Sequence, residues 1–280
     1  MANIIKDLNI NTESGKPILN ESIENLKIHL DNNSKEEQQL LQYLKAMEEE
    51  CQKSIPHRVL AAKNNVNCLL LQILEQQLEL EESKRNNEVL EATLKTLNSL
   101  YNKQPDIFDA TGLALAKRLL QTCKDNETIV CLTLQWLQKC CVMHEMNRQN
   151  IINADIIKYL KPFVAKEKKK ELKDMLAVCR YLVLDDDIRV EFGCAHEHAR
   201  QLAAEFIIEF TNLLAEFDDT GLLADLLLTI GALAVRQEFC TVVDEAGGIK
   251  LVLQVMVSEN VCLVGISSLD IVIGILATIF

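Results

Sequence analysis

Glycine and proline are scarce, nine and four in 280 residues. A strand-and-turn architecture needs many more chain breakers, so sandwiches and barrels are excluded and helix is the default. Basic residues are in deficit: 29 Lys and Arg against 41 Asp and Glu leave a net charge of −12. Nucleic acid and anionic membrane surfaces both require basic patches, so neither is expected as a partner, and a basic or apolar protein segment fits better. The ten cysteines include no Cys-x-x-Cys pair, and most sit among apolar neighbours on helical stripes. That usage suits a reducing compartment, where cysteine serves as a small buried hydrophobe. No apolar signal region opens the chain, so the sequons at Asn20, Asn32 and Asn126 are expected to be silent. The expected location is cytoplasmic, with the nucleus as a second site. Phosphate-cradling glycine loops, Gly-x-Ser-x-Gly elbows and paired nucleophile and base are also lacking. Neither catalytic residues nor a cofactor are expected.

What is present is apolar periodicity, with 49% hydrophobic residues. Residues 1–17 read as a polar leader, followed by amphipathic helices over Ile18–Leu30 and Lys35–Cys51. Residues 1–53 thus form a charged N-terminal extension, and 54–280 the main body. Pro56 opens a new segment whose stripe runs from Val59 through Leu78. From there a pattern recurs of helix, polar corner, small residue and apolar helix. Ala110, Ala154, Ala195 and Ala246 stand before successive second helices, 44, 41 and 51 residues apart. Periods in that range indicate stacked helical repeats of the armadillo or HEAT kind. Ala246-Gly247-Gly248 favours armadillo, since small residues let a short first helix turn sharply into the second. The expected fold is all-α, a right-handed α-solenoid.

One corner carries most of the candidate chemistry. The stripe Leu172, Met175, Leu176, Cys179 and Leu182 ends in Asp185-Asp186-Asp187-Ile188-Arg189. Three carboxylates after a helix's negative end are unfavourable unless one caps the next helix or Arg189 neutralises them. Adjacent carboxylates match calcium poorly. His144-Glu145-Met146-Asn147-Arg148 begins like a zinc-protease helix but has Arg148 where the second histidine must stand. His144 and Arg148 lie one turn apart and bracket Glu145 or the acidic corner of the next repeat, a structural use before a recognition one. Cys194, His196 and His198 form the competing metal or metalloenzyme site, although two-residue spacing turns side chains about 200° apart on a helix.

These residues resemble a particular family. Gln104-Pro105-Asp106, His144 through Gln149, Asp185 through Val190 with Phe192-Gly193, Ala195 through Ala199, and Glu238-Phe239-Cys240 look like the armadillo-repeat-containing protein 6 family, in the same order, over about residues 55–260. Family members usually carry histidine where this chain has Cys194, which weakens a three-histidine cluster. The family also continues for further repeats, so the resemblance implies a chain shortened at its C-terminus.

The resemblance implies an intracellular helical-repeat protein with no catalytic centre; the expected role is a protein-interaction scaffold, the third helix of each unit lining a concave surface that takes an extended or helical segment. Candidate partner-binding residues are Asp185, Asp186, Asp187, Arg189, His196, His198, His144 and Arg148, with no resident metal. Armadillo proteins that hold basic peptides use repeated tryptophans, and Trp136 alone makes no such ladder. Residues 261–280 are apolar over the length of a membrane span, but Asp270 at its centre would cost about 2.5–3.5 kcal/mol, so buried repeat helices are expected in preference to a tail anchor. The uncapped C-terminal helix is expected to self-associate.

Overall fold

The apolar stripes fold as helices, and one left-handed residue at a time breaks them into repeats. The computed structural model describes residues 16–31, 37–234 and 237–250. They divide at Ile107/Phe108 into two compact units. In the first, α1 (Lys16–Asp31) and α2 (Glu37–Lys53) precede a triplet of α3 (Ile55–Lys63), α4 (Val66–Glu79) and α5 (Asn87–Leu100), with α2 packed along α5. The stripe read as continuous from Val59 to Leu78 is interrupted: Asn65 adopts φ 61°, and α3 ends so that α4 can turn away.

The second unit begins with α6 (Ala110–Thr122) and α7 (Glu127–Cys141). Next come α8 (Glu145–Asn153), α9 (Ile156–Leu160) and α10 (Lys169–Leu182), then α11 (Ala195–Leu213), α12 (Thr220–Leu233) and α13 (Gln237–Glu245). Helix α10 packs between α7 and α12. The last helices of successive repeats, α5, α7, α10 and α12, begin at 87, 127, 169 and 220, giving periods of 40, 42 and 51. Asn86, Asn126 and Asp219 cap three of them through side-chain oxygens that accept backbone N–H groups.

The same period governs the turns. The left-handed residues Asn65, Asp155 and Gly247 each follow the short first helix of a repeat, and Lys103 and Met143 each follow a last helix, 40 residues apart. A Cβ on Gly248 would sit 2.6 Å from the Val243 carbonyl oxygen, which is why two glycines stand where the α13 turn is tightest. Ala154 and Ala246 hold equivalent places in these turns, whereas Ala110 and Ala195 open α6 and α11 directly. In the repeat that ends in α12, the single helix α11 stands where the preceding repeat has α8 and α9.

Polar side chains stitch the last helices together. Gln135 and Gln138 of α7 donate to Asp174 of α10, each at 3.0 Å. Arg180 of α10 donates to Asp225 and Thr229 of α12 at 2.7 Å. The lysine run is tied down likewise: Lys166 pairs with Glu216 and Lys170 with Glu127. Trp136 is fully buried, edge-on to Phe108 at 5.7 Å. Described residues are helical or turn, without strands, and none of their helices is long and apolar enough to cross a membrane. Segment 261–280 and the C-terminal helix expected to self-associate lie outside the described residues.

Candidate functional site

The acidic corner clasps the repeat before it. Helix α10 stops at Leu182, and the loop 183–194 that follows returns against the α7–α8 turn. Met143, left-handed at φ 51°, is gripped at both backbone groups: its N–H donates to both Asp186 carboxylate oxygens (3.1 and 3.0 Å), and its carbonyl accepts from Arg189 at 2.7 Å. Asp187 accepts the Glu145 N–H at 2.8 Å. The carboxylates thus stabilise the positive N-terminal end of α8, not the following α11. Arg189 neutralises the group as well, with Nε and Nη2 on the two Asp187 oxygens at 2.8 and 3.1 Å.

Beneath the clasp lies a buried ion pair. Arg148 is fully buried and donates from Nε to Glu145 Oε2 at 2.9 Å, from Nη1 to Asp186 Oδ1 at 2.6 Å, and from Nη1 to the Cys141 carbonyl at 2.7 Å. It therefore joins the end of α7, the start of α8 and the corner of the next repeat. Arg58 repeats the device in the first unit, donating to the Cys51 carbonyl at 3.0 Å. In both places the arginine stands seven positions after the cysteine, a Cys-x6-Arg pattern visible in the sequence. His144 caps α8 through Nδ1, which accepts the Asn147 N–H at 3.2 Å.

The candidate metal trio does not assemble as read. His196 is exposed, while Cys194 and His198 face inward together and meet Glu145. One ligand atom from each of Glu145, Cys194 and His198 lies within 4.8 Å of the others. Of the eight candidate partner residues, Asp186, Asp187, Arg189, His144, Arg148 and His198 have bonds within the chain, whereas Asp185 and His196 are exposed.

Residues outside that set are the conspicuous ones. Ile188 is 89% exposed, Phe192 83%, Met146 56% and Met143 50%; the first two lie on the clasp loop, Met143 in the turn it grips and Met146 in the first turn of α8. Periodicity could not flag them, because the loop has none. Their signal was two bulky apolar side chains, Ile188 and Phe192, inside a loop otherwise rich in charge.

Charge sets how the clasp responds to acid. Burial would raise the Glu145 carboxyl, but bonds from the Cys194 N–H, Gln149 and Arg148 outweigh it and hold the group below its ordinary 4.5. The Arg189 guanidinium and the Glu145 N–H hold Asp187 far below its ordinary 3.8. Both folded values lie under the unfolded ones, so their stabilisation is complete above the ordinary carboxylate values and disappears as pH falls through the lowered ones. Asp174, raised by burial, acts in the opposite sense. Urea midpoints are therefore expected to fall between pH 6 and pH 3 by more in the wild type than in Asp187→Asn. Equal falls would mean that this carboxylate is not stabilised by folding.

The repeats have recognisable relatives. The designed armadillo repeat protein YIII(Dq)4CqI superposes with a TM-score of 0.73 at 14% identity, covering 94% of this chain and all of the designed one. A second designed armadillo repeat protein, in complex with the peptide (KR)4, gives 0.72 at 12% identity, covering 94% and 99%. These likenesses establish the armadillo-type α-solenoid fold. In sequence, the armadillo repeat-containing protein 6 homolog of Drosophila melanogaster is 51% identical over 259 residues, 92% of this chain and 55% of the relative. Armadillo repeat-containing protein 6 of Homo sapiens is 31% identical over 175 residues, 60% of this chain and 34% of the relative. The chain thus spans about half or less of the length of these relatives. The ARMC6 family profile matches residues 19–268, nearly the whole sequence, and the chain belongs to that family of armadillo-repeat proteins.

Proposed function

We propose that this chain is a non-catalytic protein-interaction scaffold whose docking surface is the clasp, with Ile188 and Phe192 as its anchors. The observation that carries the reading is the grouping of four exposed apolar side chains, Met143, Met146, Ile188 and Phe192, at one corner held rigid by ion pairs. A soluble surface does not gather bulky apolar groups without a use for them. On the last helices, by contrast, Gln135 and Gln138 already bond Asp174, and Arg180 already bonds Asp225, so these groups have less to offer a partner.

The rim supports one kind of partner chemistry. Asp185 and Glu191 are exposed on the same loop, and the chain as a whole carries −12. A protein segment with one or two bulky apolar side chains among lysines or arginines complements that surface. A designed relative of the same fold takes the basic peptide (KR)4, which is consistent with an acidic armadillo surface engaging such a sequence.

The test compares proteins retained from lysate by wild type, by Ile188→Asp with Phe192→Asp, and by Leu228→Asp on the exposed side of α12. Helical circular dichroism is recorded for each. Anchors of this kind carry about 2 kcal/mol or more, so the clasp variant is expected to lose over tenfold in binding while Leu228→Asp keeps it. Retention by the clasp variant with loss in Leu228→Asp would move the docking surface to the last helices.

A further inference from the structure

We infer that Glu145, Cys194 and His198 form a zinc site that ties α8 of one repeat to α11 of the next. The ligands come from two rigid starts of helices. Cys194 immediately precedes α11 and His198 lies four residues on, so the two side chains share one face, and the His198 N–H to Cys194 carbonyl bond of 2.9 Å sets the first turn. Glu145, the first residue of α8, is anchored to that same point: its Oε1 accepts the Cys194 N–H at 2.7 Å. Glu145 and His198 are buried and Cys194 is half-buried.

Three further observations point to a cation. First, His198 Nδ1 lies 3.0 Å from the Leu182 carbonyl. A carbonyl only accepts, so Nδ1 carries the proton and Nε2 holds the ring's lone pair. A backbone carbonyl fixing one ring nitrogen is the usual support for a metal-bound histidine. Second, Arg148 occupies Glu145 Oε2, so that Oε1, held by the Cys194 backbone N–H, is the carboxylate oxygen placed beside Cys194. Third, the Gln149 amide nitrogen donates to both Glu145 Oε1 and Cys194 Sγ at 3.2 Å. An uncharged amide thus bridges two acceptors that a cation would bridge more strongly.

Sulfur, nitrogen and oxygen together suit zinc, which takes four ligands tetrahedrally at about 2.0–2.3 Å. Tetrahedral ligands then stand about 3.3–3.8 Å apart, so the present spread of up to 4.8 Å must close by about 1 Å. Rotation of the half-buried Cys194 side chain and of the Gln149 amide supplies that movement. Binding replaces the Sγ–H bond with Sγ–Zn and releases the proton to solvent. A water or the Gln149 carbonyl oxygen completes the fourth position. The surrounding charge is favourable, since Asp185 and Asp186 accompany Glu145 against Arg148.

The experiment titrates the chelator-stripped full chain with Zn²⁺, and in parallel with Co²⁺ followed by absorption. One equivalent is expected to bind, with a thiolate-to-cobalt charge-transfer band. Cys194→Ala removes only a side chain bonded to Gln149 and is expected to keep its helical dichroism, lose that band and weaken zinc binding at least tenfold. Gln149→Ala is expected to keep the band. In unmodified protein, zinc is expected to slow alkylation of Cys194, read by peptide mass spectrometry, without slowing that of the exposed Cys68. Absence of stoichiometric binding, undiminished binding by Cys194→Ala, or an alkylation rate at Cys194 that zinc does not change would each overturn the proposal.

Discussion

Replacing Arg148 with methionine is expected to lower the free energy of unfolding by about 3–5 kcal/mol, the usual cost of removing one member of a buried ion pair. Methionine fills similar volume, so the loss reflects charge and not a cavity. It leaves the buried Glu145 carboxylate and the half-buried Asp186 without their cation, and the Cys141 carbonyl without its donor. The cost is large because one guanidinium serves three elements from two repeats at once. Chemical denaturation measures it, and the double variant Arg148→Met with Glu145→Gln separates its parts. If the pair accounts for the loss, the double variant is more stable than Arg148→Met alone, because a neutral amide is cheaper to bury than an unpaired carboxylate. A single variant within about 0.5 kcal/mol of wild type would show that the corner is solvated and that the clasp contributes little.

This corner also shows where reading the sequence succeeds and where it stops. That His144 and Arg148 bracket Glu145 or the next repeat's acidic corner is the reading from one-turn spacing; Arg148 reaches both, while His144 caps α8 instead. That Asp186 and Asp187 need either a helix N-terminus or Arg189 follows from electrostatics alone, and the corner uses both. Which N-terminus does not, because α8 lies some 40 residues earlier and only stacking brings it there. The metal trio failed for the same reason: His196 was chosen by proximity in sequence, while Glu145 belongs to the preceding repeat.

Helices and period were legible because they are local properties. Helix α10 is legible in its stripe, and the spacing of 41 to 51 residues in the recurring alanines. The break at Asn65 was missed because the apolar stripe continues across it, and asparagine tolerates the left-handed conformation without a glycine to announce it. Exposure of Ile188 and Phe192 was also invisible, since an apolar residue in a short loop can equally fold inward.

Trp136→Ala is expected to cost about 3–5 kcal/mol, matching large aromatic truncations in cores. From sequence alone the single tryptophan could serve as core or as one contact in a peptide groove, and the two readings differ in this measurement. A groove residue contacts partner and solvent, and its loss would change stability by about 0.5 kcal/mol or less. Trp136 instead is fully buried on α7, with the Phe108 ring edge-on at 5.7 Å and 88°, and Gly112 of α6 packed beneath both rings. Such aromatic pairs add about 0.5–1.5 kcal/mol beyond area, so Trp136→Phe should recover part of the loss. Phe108→Leu with Trp136→Phe should fall short of additivity, because each removes the same edge contact. Alanine also leaves a void between α6 and α7 that neighbouring side chains cannot fill, since Leu134 and Leu137 are already buried in their own contacts. The resulting loosening would reach α8 through the end of α7, where Cys140 accepts from Asn147 and Cys141 from Arg148. Weakened acid resistance of the clasp in Trp136→Ala, beyond its general loss of stability, is the sign that the core and the corner are one mechanical unit.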